Sequence, residues 1–198
     1  MKRIAVMASG SGSNFESIVN TSKAKNSSYE VALLFSDQPA AYALERAKQL
    51  GVESVTFLPK NYPDKMAYEA DLLALLIRYR IDFIALAGYM RLIGPTLLHR
   101  FDGDIVNIHP SLLPQFPGLD AIQQAIDAGV DETGVTIHYI DAGIDTGPII
   151  EQEAVAINPE DSYETVKKKV QRVEHRLYPQ TLAKLLRGDE TIAKTSVN

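Results

Sequence analysis

Five short apolar runs, each separated from the next by a stretch with helical periodicity, most constrain what this chain can fold into. They are RIAVMA (3–8), EVALLFS (30–36), SVTFL (54–58), DFIALAG (82–88) and DIVNIH (104–109). Several lack polar alternation, which marks strands covered on both faces. Between them, AAYALERAKQLG (40–51) closes on Gly51, a helix stop. DKMAYEADLLALLIRYR (64–80) sets Met66, Ala70, Leu73 and Ile77 on one helical face, widened by Leu72, Leu75 and Leu76. Strand–helix alternation with short connections predicts right-handed βαβ units and a mostly parallel sheet.

After residue 130 the texture changes. TGVTIHYI (133–140) and GPIIEQEAVAI (147–157) are strand-like and joined through DAGID, which predicts an antiparallel late strand on the parallel core. The stretch 161–188 is a long amphipathic helix with Tyr163, Val166, Val170, Val173 and Leu177 spaced by three and four. Pro179 is expected to kink or divide it. There is no repeat, low-complexity tract or linker, and 198 residues at 45% hydrophobic content suffice for one core. The expectation is an α/β fold: one Rossmann-like domain over 1–198, with helices on both faces of the sheet.

Composition excludes several functions. A net charge of −5 without a basic block gives no support to nucleic-acid or membrane-surface binding. With no cysteine, disulfides, thiolate chemistry and cysteine-based zinc sites fall away. The four histidines (His99, His109, His138, His175) form no close pair, so no histidine-rich metal site is expected, and a carboxylate site stays open at this point. The first residues reach glycine too soon for a signal-peptide core or a membrane span, which points to a cytoplasmic chain.

Three motifs carry chemistry. The first strand runs into Ser9-Gly10-Ser11-Gly12-Ser13-Asn14 and then a helical stretch. Glycine-rich turns at this junction let backbone N–H groups approach an anion at the positive end of the helix dipole. The guest is a phosphate, or else the stretch is a flexible turn without a ligand. Phe15 fills the place where a dinucleotide fingerprint needs glycine. Asp37 either mimics a ribose-binding acid or serves as a turn residue before Pro39.

The second motif, LAGYMRLIGPTLL (86–98), leads a buried strand into Met90, Leu92 and Ile93, which either wall an apolar slot or belong to the core. At the end of the next strand, NIHPSLLPQFPG projects Asn107 and His109 from one face, because strand side chains alternate. Pro110, Pro114 and Pro117 stiffen the exit. An amide donor beside an imidazole on a rigid mount suits stabilisation of an oxyanion and movement of a proton. In the third motif, DAGIDTGPI, Asp145 is either a turn-maker or a carboxylate partner that orients His109 and raises its pKa.

Taken together, SGSGSN, AGYMRLI, NIHPSLLPQFPG, DAGIDTGPII and QRVEHRLYP, in this order and spacing, resemble the phosphoribosylglycinamide formyltransferase family over essentially the whole chain. The resemblance implies transfer of a formyl group from 10-formyltetrahydrofolate to glycinamide ribonucleotide in purine biosynthesis, without a metal. It implies Asn107, His109 and Asp145 as the catalytic trio. Gly12, Ser13, Asn14, Phe15 and Glu16 would hold the ribonucleotide phosphate, and Glu174, with Gln171, Arg172 and Val173, its glycinamide end. The folate would use Met90, Arg91, Leu92, Ile93, Asn107 and the segment Asp141, Ala142, Gly143, Ile144, Asp145. Lys65 stands where the family has a basic residue for the folate tail. Asp145 would keep His109 protonated. The implied partners are two small molecules, with no nucleic acid and no membrane, and a homodimer is left open.

Rival readings separate on sequence. A methionyl-tRNA formyltransferase is expected to add C-terminal sequence and basic surface, and a formyltetrahydrofolate deformylase an N-terminal domain. A nicotinamide-dependent oxidoreductase would use GSGSNF and Asp37, which Phe15 opposes. A non-catalytic nucleotide-binding module leaves Asn107, His109 and Asp145 without a purpose.

Overall fold

The computed structural model describes residues 1–188; residues 190–198, whose order the sequence leaves open, lie outside them. The elements run β1 (Lys2–Met7), α1 (Ser13–Ser22), β2 (Tyr29–Ser36), α2 (Tyr42–Leu50), β3 (Ser54–Thr56), α3 (Lys65–Arg78), β4 (Phe83–Leu86), α4 (Pro95–Arg100), β5 (Ile105–His109), α5 (Ala121–Asp127), β6 (Glu132–Tyr139), β7 (Ile149–Ala156) and α6 (Tyr163–Arg187). The sheet has the order β3-β2-β1-β4-β5-β6-β7. The predicted α/β class, with one antiparallel pair at the end, is what the chain forms. It divides into two compact units, Met1–Val106 and a second beginning at Asn107.

In the first unit β1 is central, pairing in parallel with β2 and with β4, while β2 pairs in parallel with β3. Ile4 to Ala8 are fully buried, as the unbroken apolar run requires. The chain winds outward through β2 and β3 and returns to the other side of β1 with β4. That reversal is a topological switch point, the place where open α/β sheets bind their ligands. Right-handed crossovers then assign the helices following β1 and β2 to one face and α3 to the other.

Helix α3 starts with Asp64, whose Oδ1 accepts the Ala67 N–H at 2.8 Å, a cap contributing about 1 kcal/mol. Its buried side is Tyr68, Glu69, Leu72, Leu75 and Leu76: the three leucines are buried as expected, while the stripe of Met66, Ala70 and Ile77 is not. Met66 is 71% and Ile77 54% exposed, and Ala70 is exposed. The segment is apolar around most of its circumference, so periodicity alone admits two faces. Aromatic packing chooses between them: Tyr68 meets Phe35, Tyr62 and, through its hydroxyl, Tyr89.

In the second unit β6 and β7 pair antiparallel from Glu132↔Ala156 to His138↔Ile149, with the register shifted between Ile137 and His138. Helix α6 starts at Ser162, whose side chain accepts from Thr165 N, and ends at Gly188 with φ 76°. It is one continuous element: Pro179 lies inside it and does not divide it. Val166, Val170, Leu177, Tyr178, Pro179 and Leu182 are buried along it, while Tyr163 and Val173 are half-buried.

Candidate active site

The glycine-rich loop of the first unit is built from backbone. Gly12 caps α1 with φ 74°, a conformation that favours glycine, and a Cβ there would lie 2.7 Å from Ala43 Cα. Two carbonyls of the loop are occupied, Gly10 O by Ala43 N at 3.1 Å and Ser11 O by Arg46 Nε at 2.9 Å. Arg46 also pairs with Glu16, which balances a carboxylate in the first turn of α1. Phe15 is fully buried, so only its backbone is available to an anion. The ten-residue helix behind the loop turns its positive end toward it.

Across the switch point, the loop after β4 joins this one directly. Ser9 N donates to Gly88 O at 3.0 Å, and Met90 N donates to Ser9 Oγ at 2.9 Å. Asp37, 2% exposed, accepts from Ser9 Oγ at 2.6 Å and so braces the loop from inside the unit, a role neither sequence reading named. Met90 and Leu92 are 67% and 58% exposed, whereas Ile93 is buried. Arg91 lies over the Tyr68 ring at 5.5 Å. Lys65, at the start of α3, has its Nζ 3.8 Å from Glu69 Oε1.

In the second unit three side chains and one unforeseen partner converge. His109 Nδ1 lies 3.4 Å from Asp145 Oδ2, as the trio requires. His138 Nε2 lies 3.5 Å from Asp145 Oδ1 and 3.3 Å from Asn107 Nδ2. His138 Nδ1 lies 2.8 Å from the Tyr139 carbonyl, which orients the ring so that its Nε2 faces both Asn107 Nδ2 and Asp145 Oδ1. One carboxylate is thus shared by two imidazoles, and Asn107 is oriented by the second. Asp145 itself has φ 54° and accepts the Gly118 N–H at 2.8 Å.

Burial pulls the His109 imidazole below the ordinary histidine range; the Phe116 carbonyl and Asp145 act the other way, and His138 adds to the lowering. The expectation that Asp145 keeps His109 protonated is therefore corrected: desolvation outweighs the carboxylate. Burial alone would raise the Asp145 carboxyl. The His138 hydrogen bond, the Gly118 amide and the two imidazoles hold it below the usual carboxylate range.

The mount after β5 is clamped by side chains. His109 Nε2 meets Phe116 O at 2.9 Å, with Phe116 in the left-handed region at φ 53°. Ser111 Oγ donates to Gln115 O at 2.6 Å. Thr136, fully buried on β6, donates to Ser111 O at 2.7 Å and accepts from Leu113 N at 3.1 Å and Gln152 Nε2 at 2.8 Å. Gln152 also donates to Leu113 O at 2.8 Å. The stiffness attributed to three prolines therefore rests equally on Thr136 and Gln152.

The segment 141–145 is a tight turn. Asp141 Oδ1 accepts from Gly143 N at 2.9 Å and from Thr146 Oγ1 at 2.7 Å. Ala142 is exposed, and Ile144 is 55% exposed. On α6, Glu174 is 9% exposed, so it belongs to the buried face and is not a solvated glutamate. Gln171 and Val173 flank it half-buried, and Arg172 is exposed. Among the described residues no cluster of three or more histidines and carboxylates could hold a metal ion, and no helix is long and apolar enough to cross a membrane.

Sequence reasoning missed His138, Thr136, Gln152 and Asp37's role. A signal for two of them was present. Thr136 and His138 share a strand face inside the apolar run VTIHYI, and polar residues at alternate positions of a buried strand need partners.

The formyl transferase family matches residues 2–182. The phosphoribosylglycinamide formyltransferase of Bacillus subtilis is 50% identical over 186 residues, 94% of this chain and 95% of that protein. The enzyme of that name from Haemophilus influenzae is 39% identical over 90% of this chain and 84% of its own. Among solved structures, the phosphoribosylglycinamide formyltransferase of Bacillus halodurans superimposes with a TM-score of 0.92 at 57% identity, covering 96% of this chain and 98% of that one. Near-complete coverage in both directions, one fold and a matching order of motifs place this chain in the phosphoribosylglycinamide formyltransferase family, as an enzyme that transfers a formyl group in purine biosynthesis.

Proposed function

We propose that the chain transfers the formyl group of 10-formyltetrahydrofolate to the amine of glycinamide ribonucleotide, giving the N-formyl product and tetrahydrofolate, and that residues 1–198 serve this one reaction as a single formyltransferase domain. The observation that carries the chemistry is Asp145 set between two imidazoles, with Asn107 beside them. The donor has a large ring system, and exposed Met90 and Leu92 offer it apolar surface. Arg91, Ile93 and residues 141–145 complete the donor contacts, and Lys65 faces its acidic tail. The segment Gly12, Ser13, Asn14, Phe15 and Glu16 holds the ribonucleotide phosphate with backbone N–H groups of the first helical turn, Glu16's own N–H being taken by Gly12 O at 3.0 Å. Glu174, with Gln171, Arg172 and Val173, takes the glycinamide end.

The amine attacks the formyl carbon and the carbonyl becomes an oxyanion. Asn107 Nδ2–H and a ring N–H of His109 stabilise it. Burial holds His109 below its ordinary pKa, and the growing negative charge of the oxyanion reverses that balance. The proton lost by the amine, relayed through Asp145 or a water, is therefore taken up by His109 beside Asp145 Oδ2 and passed to the departing folate nitrogen as the C–N bond breaks. No step requires a metal. We place the enzyme in the cytoplasm and leave a homodimer as an outcome of sedimentation.

The direct test supplies glycinamide ribonucleotide and 10-formyltetrahydrofolate and looks for the formylated product by mass. Product dependent on both substrates is expected. No product from correctly folded protein would break the reading.

A further inference from the structure

Two buried carboxylates take no part in the chemistry above: Asp37, 2% exposed, and Glu69, 3% exposed. Both are directed at one segment, the loop that carries Met90 and Leu92. At its far end Glu69 Oε1 accepts the Gly94 N–H at 2.6 Å. A Cβ at residue 94 would lie 2.6 Å from that same oxygen, so glycine and carboxylate form a matched pair. At the near end Asp37 acts one bond removed. A hydroxyl has a single proton, and Ser9 commits it to Asp37 Oδ1 at 2.6 Å. Ser9 Oγ therefore faces Met90 as an acceptor and takes its N–H at 2.9 Å.

Between these anchors, Tyr89 bonds through its hydroxyl to Tyr68 at 2.9 Å. Burial pushes both phenols above their ordinary range, so they stay neutral donors and acceptors. Yet the loop displays Met90 and Leu92 to solvent, an arrangement that apolar side chains do not favour unless the backbone is held.

We propose that Asp37, acting through Ser9, and Glu69 are positioning residues that hold the two ends of the 88–94 loop and keep its apolar wall open for the formyl donor. The inference rests on the reading of Met90–Ile93 as donor contacts. The two anchors are not equivalent. Glu69 serves the donor side, holding Gly94 and lying 3.8 Å from Lys65 Nζ, whereas Ser9 lies in the glycine-rich loop as well and ties the two loops together.

Steady-state KM values for each substrate test this with Glu69→Met, Glu69→Gln and Ser9→Ala. Methionine keeps length and helix propensity without an acceptor. It is expected to raise the donor KM about tenfold while leaving the ribonucleotide KM and kcat within about twofold. Glutamine retains an acceptor for Gly94 N and restores the donor KM. Ser9→Ala, at a half-buried position, raises both KM values. Should Glu69→Met fail to fold, Ser9→Ala decides alone. Product from the wild type together with an unchanged donor KM in folded Glu69→Met or in Ser9→Ala overturns the positioning role. No product from the wild type overturns instead the donor reading beneath it.

Discussion

The loop after β1 and the loop after β5 occupy corresponding places at the ends of strands but follow opposite plans. Residues 9–14 present backbone: Gly12 adopts a conformation suited to glycine, Phe15 is buried, and neighbouring side chains secure the loop's carbonyls. Residues 107–118 present side chains, and their backbone is what neighbouring side chains hold, through Thr136, Gln152 and Ser111. The difference teaches how recognition and catalysis place different demands on a fold. A phosphate can be held by N–H groups in a fixed turn. Proton movement needs ionisable groups of tuned charge, and these need an environment that is buried and braced.

Perturbing the second plan should give the largest effects. His109→Ala and Asp145→Ala are each expected to lower kcat by about a thousandfold, with circular dichroism and the ribonucleotide KM little changed. Near-normal turnover in either purified variant would remove the role assigned to it. Next, Thr136→Val takes away the acceptor of Leu113 N and the donor to Ser111 O in a fully buried place. It should cost about 2 kcal/mol in denaturant unfolding and lower kcat about tenfold by loosening the mount of His109.

The first plan should fail differently. Gly12→Ala forces a side chain into the left-handed region and onto Ala43. A loss of about 1–2 kcal/mol is expected, with the ribonucleotide KM raised several-fold and the kcat of bound substrate nearly intact. If kcat falls while KM holds, the division between the two loops is wrong.

The smallest effect is in pH dependence. Both shifted groups have folded pKa values below their unfolded ones, so the contribution of each is complete above its unfolded pKa and is lost as pH falls through the folded value. For His109 the loss starts below about pH 6.5, and for Asp145 below about pH 4. Thermal unfolding followed across this range should show two steps of destabilisation, the upper one absent in His109→Gln.

How much of this was legible in the sequence depended on whether one periodicity or a tertiary choice decided the matter. The strands were visible because uninterrupted apolar runs have few alternatives. The late pair was visible because DAGID leaves room for little but a turn. Asn107 and His109 were visible through strand parity and the prolines. The buried face of α3 was not, because LLALLI admits two faces until Tyr68 finds Phe35 and Tyr89. His138 was signalled only as a polar residue on a buried strand face that needs a partner; that the partner is Asp145 depends on tertiary packing, which no local pattern announces. The protonation of His109 was misjudged because a neighbouring carboxylate can be inferred from residue types, whereas the degree of burial cannot. Asp37 had two local readings, and neither named its brace, since its partner Ser9 lies 28 positions away.

The central claim, that binding of the ribonucleotide phosphate and chemistry on the formyl group are carried by separately built loops, is tested most directly by calorimetric titration of glycinamide ribonucleotide into Asp145→Asn protein whose turnover has been lost. The account predicts a Kd within about twofold of the wild type. A Kd weakened in parallel with turnover would contradict it.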